Sequence, residues 1–203
     1  RDPAPASFDF ESETIYQWGS ISASVAATAP TLDVSAWFAH LEAGYTFRHP
    51  WSPHLSIEFD YASGDGRGAK FTRFDTLFGM RRADLAPAGI YNAVGRANLI
   101  APGLRIEVAP AKRVDAFAAY RPLWLASRYD SFSTTGVRDP SGSAGRFAGH
   151  QVEARVRYWL IPKRLRMEWN GVLLAKGRFL RDAPNAPTGG DTIYNSFNAT
   201  ISF

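Results

Sequence analysis

The chain has 203 residues, a formal net charge of +4, 17 Gly, 13 Pro, 6 Trp, 8 Tyr, 14 Phe and no Cys. The missing cysteine excludes a disulfide framework, a thiolate zinc site and a thiol nucleophile. The aromatic content argues against bulk disorder. No run approaches the roughly 18 apolar residues of a spanning helix, and a mean hydropathy of −0.22 reads, on average, like a water-soluble domain.

The first segment, Arg1-Asp2-Pro3-Ala4-Pro5-Ala6, lacks the apolar centre of a signal peptide, which leaves a removed signal or a start inside a longer protein. From there the dominant signal has period two, the mark of a strand with two unlike faces. Phe8, Phe10, Tyr16 and Trp18 oppose Asp9, Glu11, Glu13 and Gln17. Trp37, Ala39, Leu41, Ala43, Tyr45 and Phe47 oppose His40, Glu42, Thr46 and Arg48. Leu55, Ile57, Phe59 and Tyr61 oppose Ser56, Glu58 and Asp60. Leu104, Ile106 and Val108 oppose Arg105 and Glu107, and Val114, Ala116, Ala118, Tyr120 and Trp124 oppose Asp115 and Arg121. Val152, Ala154, Val156, Tyr158 and Leu160 oppose Gln151, Glu153, Arg155 and Arg157. Leu165, Met167, Trp169, Leu173 and Ala175 oppose Arg166, Glu168, Asn170 and Lys176. Ile193, Phe197, Ala199, Ile201 and Phe203 form the eighth set. The best helical window is Thr72–Ala86, between Gly-rich segments.

The connections alternate in length. Short ones fall at His49–His54, Pro110–Lys112 and Ile161–Arg164; long ones fall at Ala62–Val94, Ser127–Gly149 and Gly177–Thr192; Ala26–Asp33 is intermediate. An up-and-down arrangement puts the short turns at one end and the long loops at the other, the layout of an outer-membrane barrel. The fold class expected is therefore all-β: an antiparallel up-and-down transmembrane β-barrel of about eight strands, or one arc of a larger barrel.

Alternation alone does not say which face points outward, because a soluble barrel puts its apolar face inside. Four features favour the membrane. Aromatics gather near strand ends, as in the interfacial girdles of membrane barrels. The apolar face mixes Ala with larger residues, where a packed barrel core wants consistent bulk. Arg and Glu share the other face, as in a wet lumen. The last residue, Phe203, resembles the C-terminal signal of bacterial outer-membrane proteins.

The loops carry a family resemblance. Tyr16-Gln17-Trp18-Gly19, Asp60-Tyr61-Ala62-Ser63-Gly64-Asp65-Gly66, Phe74-Asp75-Thr76-Leu77-Phe78, Gly95–Arg105, Tyr120–Ala126 with Asp130, and Gly171–Phe179 follow one another in an order that resembles the alginate-export family of outer-membrane proteins. The resemblance spans about residues 8–203, so the chain is read as one domain, 1–203. It is to the C-terminal portion of that family, whose full members carry roughly twice as many strands, within the even-numbered range of such barrels.

The resemblance implies passive export of an anionic polysaccharide such as alginate, or of a similar anionic solute, from a Gram-negative bacterium. It implies no enzymatic activity and no cofactor. Implied partners are outer-membrane lipid, the anionic polymer, and the barrel-assembly machinery acting on the strand that ends at Phe203. Arg offers a permanently charged planar fork for carboxylates, and basic rings in a constriction select anions. The lumen candidates are Arg105, Arg121, Arg155, Arg157, Arg166 and Lys176. Their counter-charges on the same face are Glu42, Glu58, Asp60, Glu107, Asp115, Glu153 and Glu168. Outer-loop candidates are Asp65, Arg67, Arg81, Arg82, Arg128, Asp130 and Arg138, with Lys70, Arg73 and Arg146.

Other chemistries find less support. Asp60-x-x-x-x-Asp65-Gly66 lacks the alternating ligands of a calcium loop and reads as a turn. His40, His49, His54 and His150 lack metal-ligand spacing. No Gly-rich phosphate loop opens a helix, and the dispersed basic residues argue against nucleic acid. Two alternatives remain: a small closed barrel that anchors or adheres through its long loops, and a soluble ligand-binding barrel with a dry interior.

Overall fold

The computed structural model describes residues 4–76, 85, 87, 91 and 93–203. All eight expected strands are present: β1 (Ser7–Ser22), β2 (Thr31–Thr46), β3 (His54–Ala62), β4 (Leu99–Ala111), β5 (Val114–Trp124), β6 (Phe147–Ile161), β7 (Leu165–Lys176) and β8 (Thr192–Ile201). They make one antiparallel sheet in sequence order. The sheet is not closed: β1 and β8 share no ladder and do not touch. The self-closed eight-strand barrel is therefore not what the chain forms, and the architecture is that of an arc of a barrel. Among the described residues one helix, α1 (Arg178–Asp182), was not signalled by the sequence pattern; it buries Phe179 and Leu180. Of the window Thr72–Ala86, residues 72–76 are not helical, and most of the remainder lies outside the described residues.

The two faces differ as the period-two pattern predicts. Leu41, Ile57, Leu104, Ile106, Val152, Val156, Leu173 and Ile193 are exposed, Ile57 to 64%. Glu58, Asp60, Arg121 and Glu153, on the opposite parity, are buried. The charged face is the concave, covered one. On the outer face, aromatics meet in two groups. Phe8 lies 4.6 Å from Tyr45, which touches Phe47 at 4.9 Å. Tyr16 lies 4.3 Å from Trp37 and 5.7 Å from Trp18. Phe8 to Tyr16 on β1, and Trp37 to Tyr45 on β2, are eight residues each. At about 3.3 Å per residue the groups stand roughly 26 Å apart along the strand.

The apolar core sits inside the arc at the long-loop end. Ala36, Phe38, Ala62, Leu99, Ala101, Leu123, Leu125, Ala148 and Leu174 supply the wall, and Phe74, Leu85, Val94, Phe132, Val137, Phe179 and Leu180 from the loops cover it. The long loops therefore fold across the mouth of the arc. The start of β6 is tight: Gly149 has φ +149°, and a Cβ there would lie 2.2 Å from the Ala175 carbonyl oxygen. Gly149→Ala is expected to lower stability by about 1–3 kcal/mol through backbone strain, read by urea titration.

Candidate functional site

The concave wall is built in three tiers. At the mouth, polar residues stitch the loops together. Asp130 accepts from Arg73 Nη1 at 2.6 Å and from the Asp65 backbone N–H at 2.8 Å. Asp65 in turn accepts from Thr72 N at 3.0 Å. Arg73 also donates to the carbonyls of Ser131 and Ser133. Asn98 donates to the carbonyls of Ser127 and Ser131 and accepts from Ser127 N–H. Gly64 is needed beside it, because a Cβ there would meet Asn98 Oδ1 at 1.9 Å.

The loop arginines are engaged too. Arg67 donates to Pro140 O at 2.7 Å and stacks on Tyr129; Arg128 lies over the same ring. Arg138 donates to Tyr129 O, and Arg146 to the carbonyls of Leu125 and Ala126. Lys70 is exposed. Arg81 and Arg82 lie outside the described residues. Lys176 donates to the carbonyls of Pro187 and Gly189 at 3.1 and 3.2 Å. It lines a cavity of about 390 Å³ with Val137, Leu174 and Leu180.

Asp139 organises the second long loop. It accepts from Ala144 N, from Ser141 N and Oγ, and from Ser143 Oγ. The Ala144 N–H first, then the Ser141 hydroxyl, hold its carboxyl well below the usual carboxylate range. A depressed folded pKa gives stability that is complete above the unfolded value and is lost only as pH falls through the folded one. The amide protection factors of residues 125–146, with the intrinsic pH dependence of exchange divided out, are therefore expected to hold down to about pH 4, near the ordinary carboxylate pKa, and to fall only in stronger acid. Asp139→Ala is expected to abolish that protection at pH 7.

In the middle tier Arg121 is 1% exposed. Its guanidinium spans from Glu58 (2.5 Å) on β3 to Glu153 (3.3 Å) on β6. It reaches Glu58 across β4 because Gly103 carries no side chain: a Cβ would lie 3.1 Å from Arg121 Cγ. Glu58 faces Glu42 in register, so the arginine also offsets a like-charge pair. Beside it, Tyr91 donates to Gln151 Oε1 at 2.9 Å, and Gln151 Nε2 donates to Leu85 O. Burial first, then the charge of Glu153, pushes the Tyr91 phenol up, which keeps it a donor. His40 pairs with Asp60 at 2.8 Å, and His54 with Asp9 at 3.1 Å. No cluster of metal ligands occurs among the described residues.

The lower tier holds the partly accessible arginines. Arg157 Nε donates to Asp115 at 2.6 Å, while Arg155 stands 3.7 Å from the same carboxylate. Arg166 lies 3.6 Å from Glu168. Arg105 Nε donates to Glu107 at 2.8 Å. Between Arg105 and Arg155, on the intervening strand, is Phe117, whose ring centroid is 4.0 Å from one guanidinium carbon and 4.6 Å from the other. Side-chain exposure of these four arginines runs from 18 to 30%, against 1% for Arg121.

The expected lumen residues thus separate by depth. Arg105, Arg155, Arg157 and Arg166 share one tier, Arg121 is sealed in a triad above them, and Lys176 belongs to the mouth. Four contributors were not singled out from the sequence: Phe117, an aromatic on the charged parity; Asn98, which joins two loops; Asp139, which organises the second long loop; and Tyr91, which donates to Gln151.

A family model described as alginate export matches residues 2–190. The chain belongs to the alginate export family. That family is one of export rather than catalysis, and it fits the all-β arc and the loop motifs spread along it. No curated protein matches the sequence.

Proposed function

We propose that the eight strands form one arc of an outer-membrane export pore through which an anionic polysaccharide of uronate type, or a similar anionic solute, diffuses passively. The exposed apolar face, bounded by its two aromatic groups, suits lipid. With strand tilt of about 40°, their spacing becomes roughly 20 Å across the sheet, the scale of the apolar band of outer-membrane barrels. Open strand edges are not tolerated in lipid, because their N–H and C=O groups find no partner there. Further strands therefore pair with β1 and β8.

The inner face is not uniformly basic. Asp9, Glu11, Glu13, Glu42, Glu58 and Asp60 crowd β1–β3. The guanidiniums of Arg105, Arg155, Arg157 and Arg166 lie on β4, β6 and β7. The observation that carries the reading is this basic sector of partly accessible arginines on the covered face. A polyanion would track along it, trading one loosely held carboxylate partner for the next.

The test is a reversal potential across planar bilayers holding the protein in a KCl gradient. Chloride preference is expected, and Arg155→Gln with Arg157→Gln should reduce it. An absence of conductance, or a cation preference, would overturn the reading.

A further inference from the structure

We infer that Phe117 is a positioning residue: it holds the Arg105 and Arg155 guanidiniums, from the two flanking strands, as a preorganised station for a carboxylate of the passing polymer. The inference rests on the anion-path reading above and names where on that path the polymer is held.

Three observations carry it. First, Phe117 is buried, on the charged parity of β5, with Arg105 and Arg155 both stacked on its ring. Two like charges are not gathered at one phenyl ring for their mutual energy. The ring's quadrupole attracts each of them and uses no N–H donor, so the Arg155 fork stays open, as do the donors of Arg105 that Glu107 does not take up.

Secondly, Arg155 is under-partnered. Its Nε is buried with no hydrogen-bond partner among the described residues. Its nearest carboxylate, Asp115 at 3.7 Å, is hydrogen-bonded instead to Arg157 at 2.6 Å. A half-buried guanidinium without a hydrogen bond is costly unless something supplies one. A carboxylate arriving from the lumen does so at the accessible part of the side chain, which is 21% exposed, and not at the buried Nε.

Thirdly, the neighbours fit a ligand that comes and goes. Glu107 neutralises Arg105, and Asp115 is shared between Arg155 and Arg157, so the station keeps only about one net positive charge when empty. It would bind a uronate weakly enough to release it, as conduction requires. Phe117 is 7% exposed and stacked under the arginines, so its effect reaches the solute through them.

The experiment measures phenylglyoxal modification of the protein in vesicles, resolved residue by residue by mass spectrometry, with an oligouronate or a neutral oligoglucose present. The oligouronate, and not the neutral sugar, is expected to slow modification of Arg105 and Arg155. Phe117→Leu should raise the oligouronate concentration needed by about three- to tenfold, the scale of a lost cation–π contact, while Phe117→Tyr keeps protection. If Phe117→Leu does not fold, Arg155→Lys serves. It keeps the charge, loses the planar stack, and should weaken protection of Arg105 to the same degree.

Undiminished protection in Phe117→Leu or Arg155→Lys would reduce Phe117 to packing and overturn the inference. So would a wild-type protein in which neither arginine is protected. In that case a persisting chloride preference would leave the export reading standing with its path elsewhere. Loss of the preference as well would bring down both.

Discussion

Replacing Arg121 by Met is expected to destabilise the protein by about 3–5 kcal/mol, the usual consequence of removing one partner from a buried ion cluster. The side chain is sealed between β3 and β6, with Glu58 at 2.5 Å and Glu153 at 3.3 Å. Without it, two buried carboxylates face one another, and Glu42 adds a third charge in register with Glu58. The size of the effect comes from desolvated charge left behind, not from the attraction lost. A companion variant separates the two. Arg121→Met combined with Glu58→Met and Glu153→Met removes the orphaned charges and should recover most of the stability. Urea titration followed by tryptophan fluorescence, with six Trp available, reads both variants. A loss below about 1 kcal/mol in the single variant would mean that the cluster is open to water and behaves as a surface pair.

The second large effect concerns the outer face. Leu104→Arg places a charge at the middle of the exposed apolar surface, two residues beyond Pro102 on β4. If that surface meets lipid, the substitution costs about 2–4 kcal/mol, as for a basic residue at the bilayer midplane. If it meets water, an exposed Leu becoming Arg changes stability by no more than about 0.5 kcal/mol. Ile57→Arg, on the neighbouring strand and still more exposed, should behave alike. The same measurement therefore separates a membrane arc from a soluble barrel.

Much of the architecture was legible in the sequence because period-two sorting is local. Phe8 against Asp9, or Ile57 against Glu58, needs no tertiary information to assign opposite faces. Loop lengths then fixed which ends the turns occupy. What stayed hidden depends on residues far apart in the chain. The apolar upper wall is one case. Phe38, Leu123 and Leu174 sit on the charged parity, and the only local sign is a broken alternation at Trp37-Phe38, Leu123–Leu125 and Leu173-Leu174. Such runs mark backbone covered on both faces, here because the loops fold inward over it. The five-residue helix α1 is too short to show a period, and its apolar pair Phe179-Leu180 makes sense only against that wall.

Depth along the inner face was also hidden. Arg121 and Arg155 have the same chemistry and the same parity. One is sealed because Gly103 lets it lie across β4 to Glu58; the other stays half-open beside Phe117. Only the register of three strands distinguishes them. Closure was hidden as well, since strand number alone does not say whether β1 meets β8.

The proposed pore requires the charged parity to face a water-filled path and the apolar parity to face lipid. The native sequence has no cysteine, so single cysteines can be placed along β6 without interference. The most direct measurement is the reaction rate of Arg155→Cys, Arg157→Cys, Val152→Cys and Val156→Cys with a charged, membrane-impermeant thiol reagent, the protein being embedded in vesicles. A lumen on the charged side predicts fast labelling at 155 and 157 and protection at 152 and 156. Fast labelling at 152 and 156 with protection at 155 and 157 would contradict it.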